Sequence, residues 1–278
     1  MMLSATLAGR RIVAVGDHGV VMLSDDSGKS FRQARSVPVS SALTGVSFAD
    51  ATHGWAVGHW GVVMYTQDAG ESWALQRTDL ENDQPLFSVY FKSEQEGWAV
   101  GLWSLMLHTV DGGKSWMTIK LPPPPGAKKA DRNLYRIFGD QNGNLFIACE
   151  QGRVLRSADD GATWRYIETG YAGSFWTGVA LPHGVLLVGG LRGTIYRSSD
   201  EGNTWTASHS TFNSSVTDMV QLNSSSILAV ALDGVSLVSN DDGASFTGTQ
   251  RPDRVPLTAV VTAPSGNAVV FSANGPIG

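Results

Sequence analysis

SDDSGKSF (24–31), TQDAGESW (66–73), TVDGGKSW (109–116), SADDGATW (157–164), SSDEGNTW (198–205) and SNDDGASF (239–246) are six copies of one pattern. Each reads Ser/Thr, any residue, Asp, any residue, Gly, any residue, Ser/Thr, Trp/Phe. Successive copies start 42, 43, 48, 41 and 41 residues apart. A fixed period of this size marks a repeat architecture, in which each unit buries its apolar face against its neighbours.

The chemistry of the pattern accounts for its residues. The carboxylates of Asp26, Asp68, Asp111, Asp159, Asp200 and Asp241 can accept hydrogen bonds from N–H groups of their own turn. The glycine two positions later supplies a positive φ without steric cost. The closing aromatic can pack under the turn between neighbouring sheets. These Asp-box aspartates are therefore expected to be structural staples. A calcium loop of the EF-hand type would need further acidic ligands and a closing Glu, which the copies lack.

The order around each box repeats as well. A strand such as LTGVSF (43–48) or LFSVYF (86–91) is followed by an apolar one, GWAVG at 54–58 and again at 97–101. A short Gly-bearing link leads to a third strand, VVMY (62–65) or LMLH (105–108), and the box turns into a fourth. Four short strands per repeat make a propeller blade. No helical periodicity is present, and no Trp is followed by Asp, so the WD repeat is excluded. The expected fold is all-β, one propeller domain over 1–278. Six blades carry boxes. The tail, LTAVV (257–261) and AVVF (268–271), matches the first two strands of an incomplete seventh. Seven blades is preferred. Six, closed by pairing the tail with the amino end, is the alternative.

Composition narrows the function classes. Net charge is −5, with no basic stripe of the kind nucleic acid requires. The single cysteine, Cys149, cannot form an internal disulfide and is expected to be a small buried residue. No apolar run reaches membrane-spanning length, and no signal peptide is visible at 1–4.

With the boxes and the GWAVG strands (54–58 and 97–101) in view, the chain resembles the photosystem II stability/assembly factor family, whose bacterial relatives are often labelled BNR-repeat proteins. That resemblance covers nearly the whole chain. It implies a non-enzymatic binding propeller of assembly or accessory type outside the cytoplasm, in the periplasm or beyond, and it does not imply a partner; a protein partner of unknown identity and no cofactor are expected. Relatives also occur in bacteria without photosynthesis, so the photosystem role itself is not carried over.

Asp boxes also occur in sialidases and some glucanases, so a glycan-binding or glycoside hydrolase propeller is the alternative. The sequence argues against it. A sialidase carries an Arg-Ile-Pro segment near its start, whereas Arg11-Ile12 is followed here by Val13. Outside boxes and loops only Glu150 and Glu168 remain, and no pair able to sit about 5–5.5 Å apart, as a retaining glycosidase needs, can be read.

A binding site is expected on one face. Links between second and third strands emerge with the blade-to-blade links, opposite the boxes. The former read Asp17-His18, His59-Trp60, Leu102-Trp103, Glu150-Gln151, Leu191-Arg192 and Leu232-Asp233. Their chemistry varies while the frame repeats, as loop-borne function does. His18, His59, Trp60, Trp103, Glu150 and Arg192 are the candidate contact residues there. Trp60 and Trp103 stand in equivalent links of adjacent blades, either as partner anchors or packed against the long links beside them. Two such links, 77–85 with Asp79, Glu81 and Asp83, and 121–133 with four prolines, Lys128, Lys129 and Arg132, bound the third blade. A metal at His18 and His59 would want further ligands, and only Asp17 is obvious. Among the third positions of the innermost strands, taken as Ala5, Gly45, Ser88, Arg136, Gly178, Asp218 and Ala259, only Arg136 and Asp218 are charged. They either line the channel to bind a polar group or neutralise each other across it.

Overall fold

A computed structural model describes residues 1–277 and shows seven antiparallel sheets arranged as the blades of a propeller. Their innermost strands are Met2–Ala8, Leu43–Phe48, Leu86–Phe91, Leu134–Gly139, Phe175–Ala180, Val216–Gln221 and Leu257–Thr262. In blades 1 to 6 four strands pair in chain order from the axis outward. A two-residue strand, His209–Ser210, adds to the outer edge of blade 6 in parallel with Ser245–Gln250. Blade 7 is its own sheet, and beyond the two strands read from the sequence it has a third, Gly275–Ile277.

The second strands of blades 2 to 6, among them the two GWAVG segments, are buried along all five residues. Such a strand has a neighbouring blade on each side, so it reads as a continuous apolar run and not as an alternation. Trp55 and Trp98 are fully enclosed there. The core is correspondingly divided into seven apolar clusters, one between each pair of adjacent blades. The cluster between blades 7 and 1 joins Ile12 and Ala14 to Ala259, Val269 and Phe271. The ring therefore closes by side-chain packing, and the amino-terminal strand stays in blade 1.

Every innermost strand carries a bulge near its start. The skipped residues are Leu3, Thr44, Phe87, Tyr135, Trp176, Thr217 and Thr258. A bulge re-aims the residue that follows it. The equivalent next positions are thus Ser4 in blade 1 and Thr177 in blade 5, so the register read from sequence as Ala5 and Gly178 is off by one in those two blades. Ser4, Ser88, Thr177, Asp218 and Ala259 are buried. Ser88 Oγ accepts from the N–H of Ile137 in the next blade, and Asp218 Oδ2 from that of Val260, at 3.2 and 3.0 Å.

Candidate functional site

The two faces of the ring have different chemistry. On one, the six Asp turns repeat a single hydrogen-bond set. In the second, Asp68 Oδ1 accepts from Ser72 N–H at 2.9 Å and Thr66 Oγ at 2.9 Å, and Thr66 Oγ accepts from Gly70 N–H at 3.0 Å. Asp26, Asp111, Asp159, Asp200 and Asp241 make the corresponding bonds. Accepting several bonds favours the ionised form, so Asp26, Asp111 and Asp241 are held down to about 2.

The turns of blades 2, 3, 5 and 6 are also clasped by the blade before them. The carbonyl preceding the turn glycine accepts from Arg11 in blade 1, Trp55 and Gln76 in blade 2, Arg156 in blade 4 and Arg197 in blade 5. The glycine lies against the same neighbour. At Gly161, with φ +81, an added Cβ would sit 2.8 Å from the Trp98 ring. On this face Asp50, His53 and Glu94 also meet, with ligand atoms within 4.8 Å of one another. His53 Nδ1 lies 2.7 Å from Asp50 Oδ2, whose other oxygen accepts the Thr52 and His53 N–H groups. The trio is accounted for as a turn staple between blades 2 and 3.

The opposite face carries the links. In each of blades 1 to 6 the second-to-third link has a non-glycine residue in the left-handed region: His18, Trp60, Trp103, Gln151, Arg192 and Asp233, with φ between 51 and 60. The next residue also has positive φ. It is Gly in five blades and Ser104 in blade 3. In blade 2 the N–H of Val62 reaches His59 O at 3.3 Å across Trp60 and Gly61. Two successive positive φ values define the type I′ turn, whose residues of choice are Asn-Gly and Asp-Gly. Asp233-Gly234 fits that rule; the other five depart from it, Trp103-Ser104 furthest because it lacks the glycine as well. The X-Gly dipeptides were the signal in the sequence that would have found these turns.

Both indoles are exposed, Trp60 at 41 % and Trp103 at 60 %. The long links hold their backbones and leave the rings uncovered. Trp60 O accepts from Asp79 N–H at 2.8 Å, and Trp103 N–H donates to Asn133 Oδ1 at 3.1 Å. Beside Trp60 lies a hollow of about 400 Å³ lined by Pro38, Val39, Val62 and Leu80, the last 71 % exposed. Asp83 and Lys128 are exposed at the tips of their links, as are His18, His59 and Arg192 on theirs. Glu150 differs. Its carboxylate accepts from Asn133 N–H and Nδ2 and from the Tyr135 hydroxyl, tying the end of the 121–133 link to blade 4. Glu168, the other glutamate outside boxes and loops, accepts from Arg153 at 3.0 Å.

Arg136 and Asp218 both line a channel cavity of about 420 Å³. Asp218 spends its oxygens on Thr177, Met219 and Val260, stapling blades 5, 6 and 7. Burial pushes its carboxyl up, and Arg136 opposes that shift through space. Cys149 is buried, its thiol pushed up to about 12 by desolvation.

The profile of the photosynthesis system II assembly factor YCF48 family matches residues 33–177, slightly more than half of the chain. The chain belongs to this family. Among solved structures, a YCF48 bound to D1 peptide superposes with a TM-score of 0.77 at 17 % identity, covering 99 % of this chain and 91 % of that one. A YCF48 from Cyanidioschyzon merolae gives 0.75 at 15 %, covering 99 % and 93 %. The WD40 repeats of RRP9 give 0.76 at 8 %, covering 98 % and 87 %, which reflects the shared propeller alone. No curated protein sequence matches the chain significantly.

Proposed function

We propose that this YCF48-family propeller is a non-enzymatic binding protein that assists assembly or function of an envelope protein complex outside the cytoplasm, docking its partner on the link face. The observation that carries the reading is the pair of exposed indoles, Trp60 and Trp103, at equivalent turns of adjacent blades. An apolar anchor inside a polar, charged surround is the usual anatomy of a protein–protein site. Asp83 and Lys128 supply that surround, with His18, His59 and Arg192 further round the ring. A family relative bound to D1 peptide supports a protein as the kind of partner. The test is a pull-down from the native envelope fraction. Trp60→Ala combined with Trp103→Ala should keep the melting temperature and lose the partner, since an anchor residue contributes about 2 kcal/mol or more. Retention of the partner at full strength sinks the face assignment. Hydrolysis of a fluorogenic sialoside, abolished by Glu150→Gln, would establish the glycosidase alternative, and glycan-array binding a glycan ligand.

A further inference from the structure

The local physics of the blade 2 and blade 3 turns is at odds with their residues. A type I′ turn needs φ > 0 at both central positions, where glycine, Asn or Asp is favoured and a bulky side chain is a genuine outlier. Trp60 has φ 60 and Trp103 φ 51, and in blade 3 the following position is Ser104, φ 60, so that turn has no glycine at all. Glycine at either Trp position would relax the backbone and keep the turn bonds, because those bonds run through Trp60 O and Trp103 N–H. Packing offsets little of the cost at Trp103, which is 60 % exposed, and only part of it at Trp60, which is 41 % exposed. Strain retained where the fold gains little points to a use for the side chain.

The surroundings of Trp60 say what that use is. Its ring and the 71 % exposed Leu80 line the hollow of about 400 Å³ together with Val39 and Val62 and the hydroxyl residues Ser40, Ser41 and Thr78, a volume enough for one large apolar side chain and its backbone. The same link places Glu81 and Asp83 in solvent immediately beyond Leu80. We infer that the hollow beside Trp60 takes an extended peptide segment of the partner, a large apolar side chain entering between Trp60 and Leu80 and cationic side chains following it onto Glu81 and Asp83. This rests on the protein-binding reading of the link face. It adds to that reading the position and the sequence chemistry of the bound segment.

The experiment uses the full chain and two fluorescein-labelled peptides, Gly-Ser-Leu-Phe-Lys-Lys-Ser-Gly and the same peptide with Glu in place of both Lys, read by fluorescence anisotropy. The Lys peptide should bind at least tenfold tighter, and the preference should shrink with salt. Trp60→Gly should weaken binding at least tenfold while the melting temperature stays or rises, a combination that a structural role for the indole would not give. Glu81→Lys with Asp83→Lys should invert the preference between the peptides. Equal affinity for both peptides, binding of neither at millimolar concentration, or unchanged binding by Trp60→Gly overturns the proposal. A fall in melting temperature with Trp60→Gly does so too, as does sedimentation showing the face buried in a dimer of this chain. If the native partner is lost with the two Trp→Ala changes and the peptides still show no preference, the face stands and the peptide chemistry falls.

Discussion

The aspartates of the repeated turns and Asp218 are both hydrogen-bonded carboxylates, and their environments drive them in opposite directions. Asp68 has a rim position and accepts bonds from Ser72 and Thr66 that hold it below the ordinary carboxylate range against the effect of partial burial. Asp218 is enclosed, and desolvation outweighs its three donors. Truncation consequences follow. Asp68→Ala leaves the Ser72 N–H without its acceptor and should cost about 1–2 kcal/mol, read as a lower midpoint in urea. Asp218→Ala strands the Val260 and Met219 N–H groups inside the protein and should cost more, about 3 kcal/mol on the same principle. An Asp68→Ala midpoint equal to that of the unaltered protein would show that the turn does not depend on its carboxylate.

At the scale of the element, the aspartates of the six turns are all shifted in one direction, downward. Asp26, Asp111 and Asp241 titrate near 2 in the folded chain against an ordinary 3.8, and Asp159 and Asp200 are lowered too. A depressed folded pKa gives stability that is fully present above the unfolded value and lost as pH falls through the folded one. The protein should therefore hold its stability down to about pH 4 and lose it cooperatively between there and about pH 2, measured by circular dichroism. Gradual loss starting above pH 5 would contradict this origin. These turns were legible in the sequence because one chemical solution is repeated six times at a constant period. GWAVG strands were legible because burial on both faces leaves a continuous apolar run. What could not be read were features made by pairing across the repeat. The clasp from Arg156 to Glu201 O spans 45 residues and uses a backbone acceptor, which carries no residue signature. The strands of blades 1 and 5 begin at Met2 and Phe175, one residue earlier than Ala5 and Gly178 as third positions require, so Ser4 and Thr177 stand in their place. Gly275–Ile277 is a three-residue strand containing a proline, too short to show any period. Of the link face, the variable residues were legible, and the left-handed turns that present them were visible only as X-Gly pairs.

For the whole molecule the decisive interface is the one between blades 7 and 1, because it joins the two ends of the ring without a strand shared between them. Phe271 is its centre. It is fully buried, and its ring meets that of Phe31, the closing aromatic of the first turn, edge to face at 5.5 Å. Gly28 of that turn lies against Val269, the contact that every other turn glycine makes with the blade before it. Blade 7 thus enters the repeat as a full neighbour, though among the described residues it has no Asp turn and three strands instead of four. Phe271→Ala should remove about 3–5 kcal/mol by the lost transfer energy and the cavity left behind. An equal cavity cut inside one of the other six interfaces leaves a covalent connection across the gap. At this one, among the described residues, side-chain packing is what resists separation, so the loss should appear first as local opening. Hydrogen exchange should accelerate in Met2–Ala8 and Ala268–Ser272 well before it does in Leu145–Cys149 on the far side of the ring. Uniform acceleration around all seven blades would mean that the ring unfolds as one unit and that closure is no weaker than the interfaces the chain itself bridges.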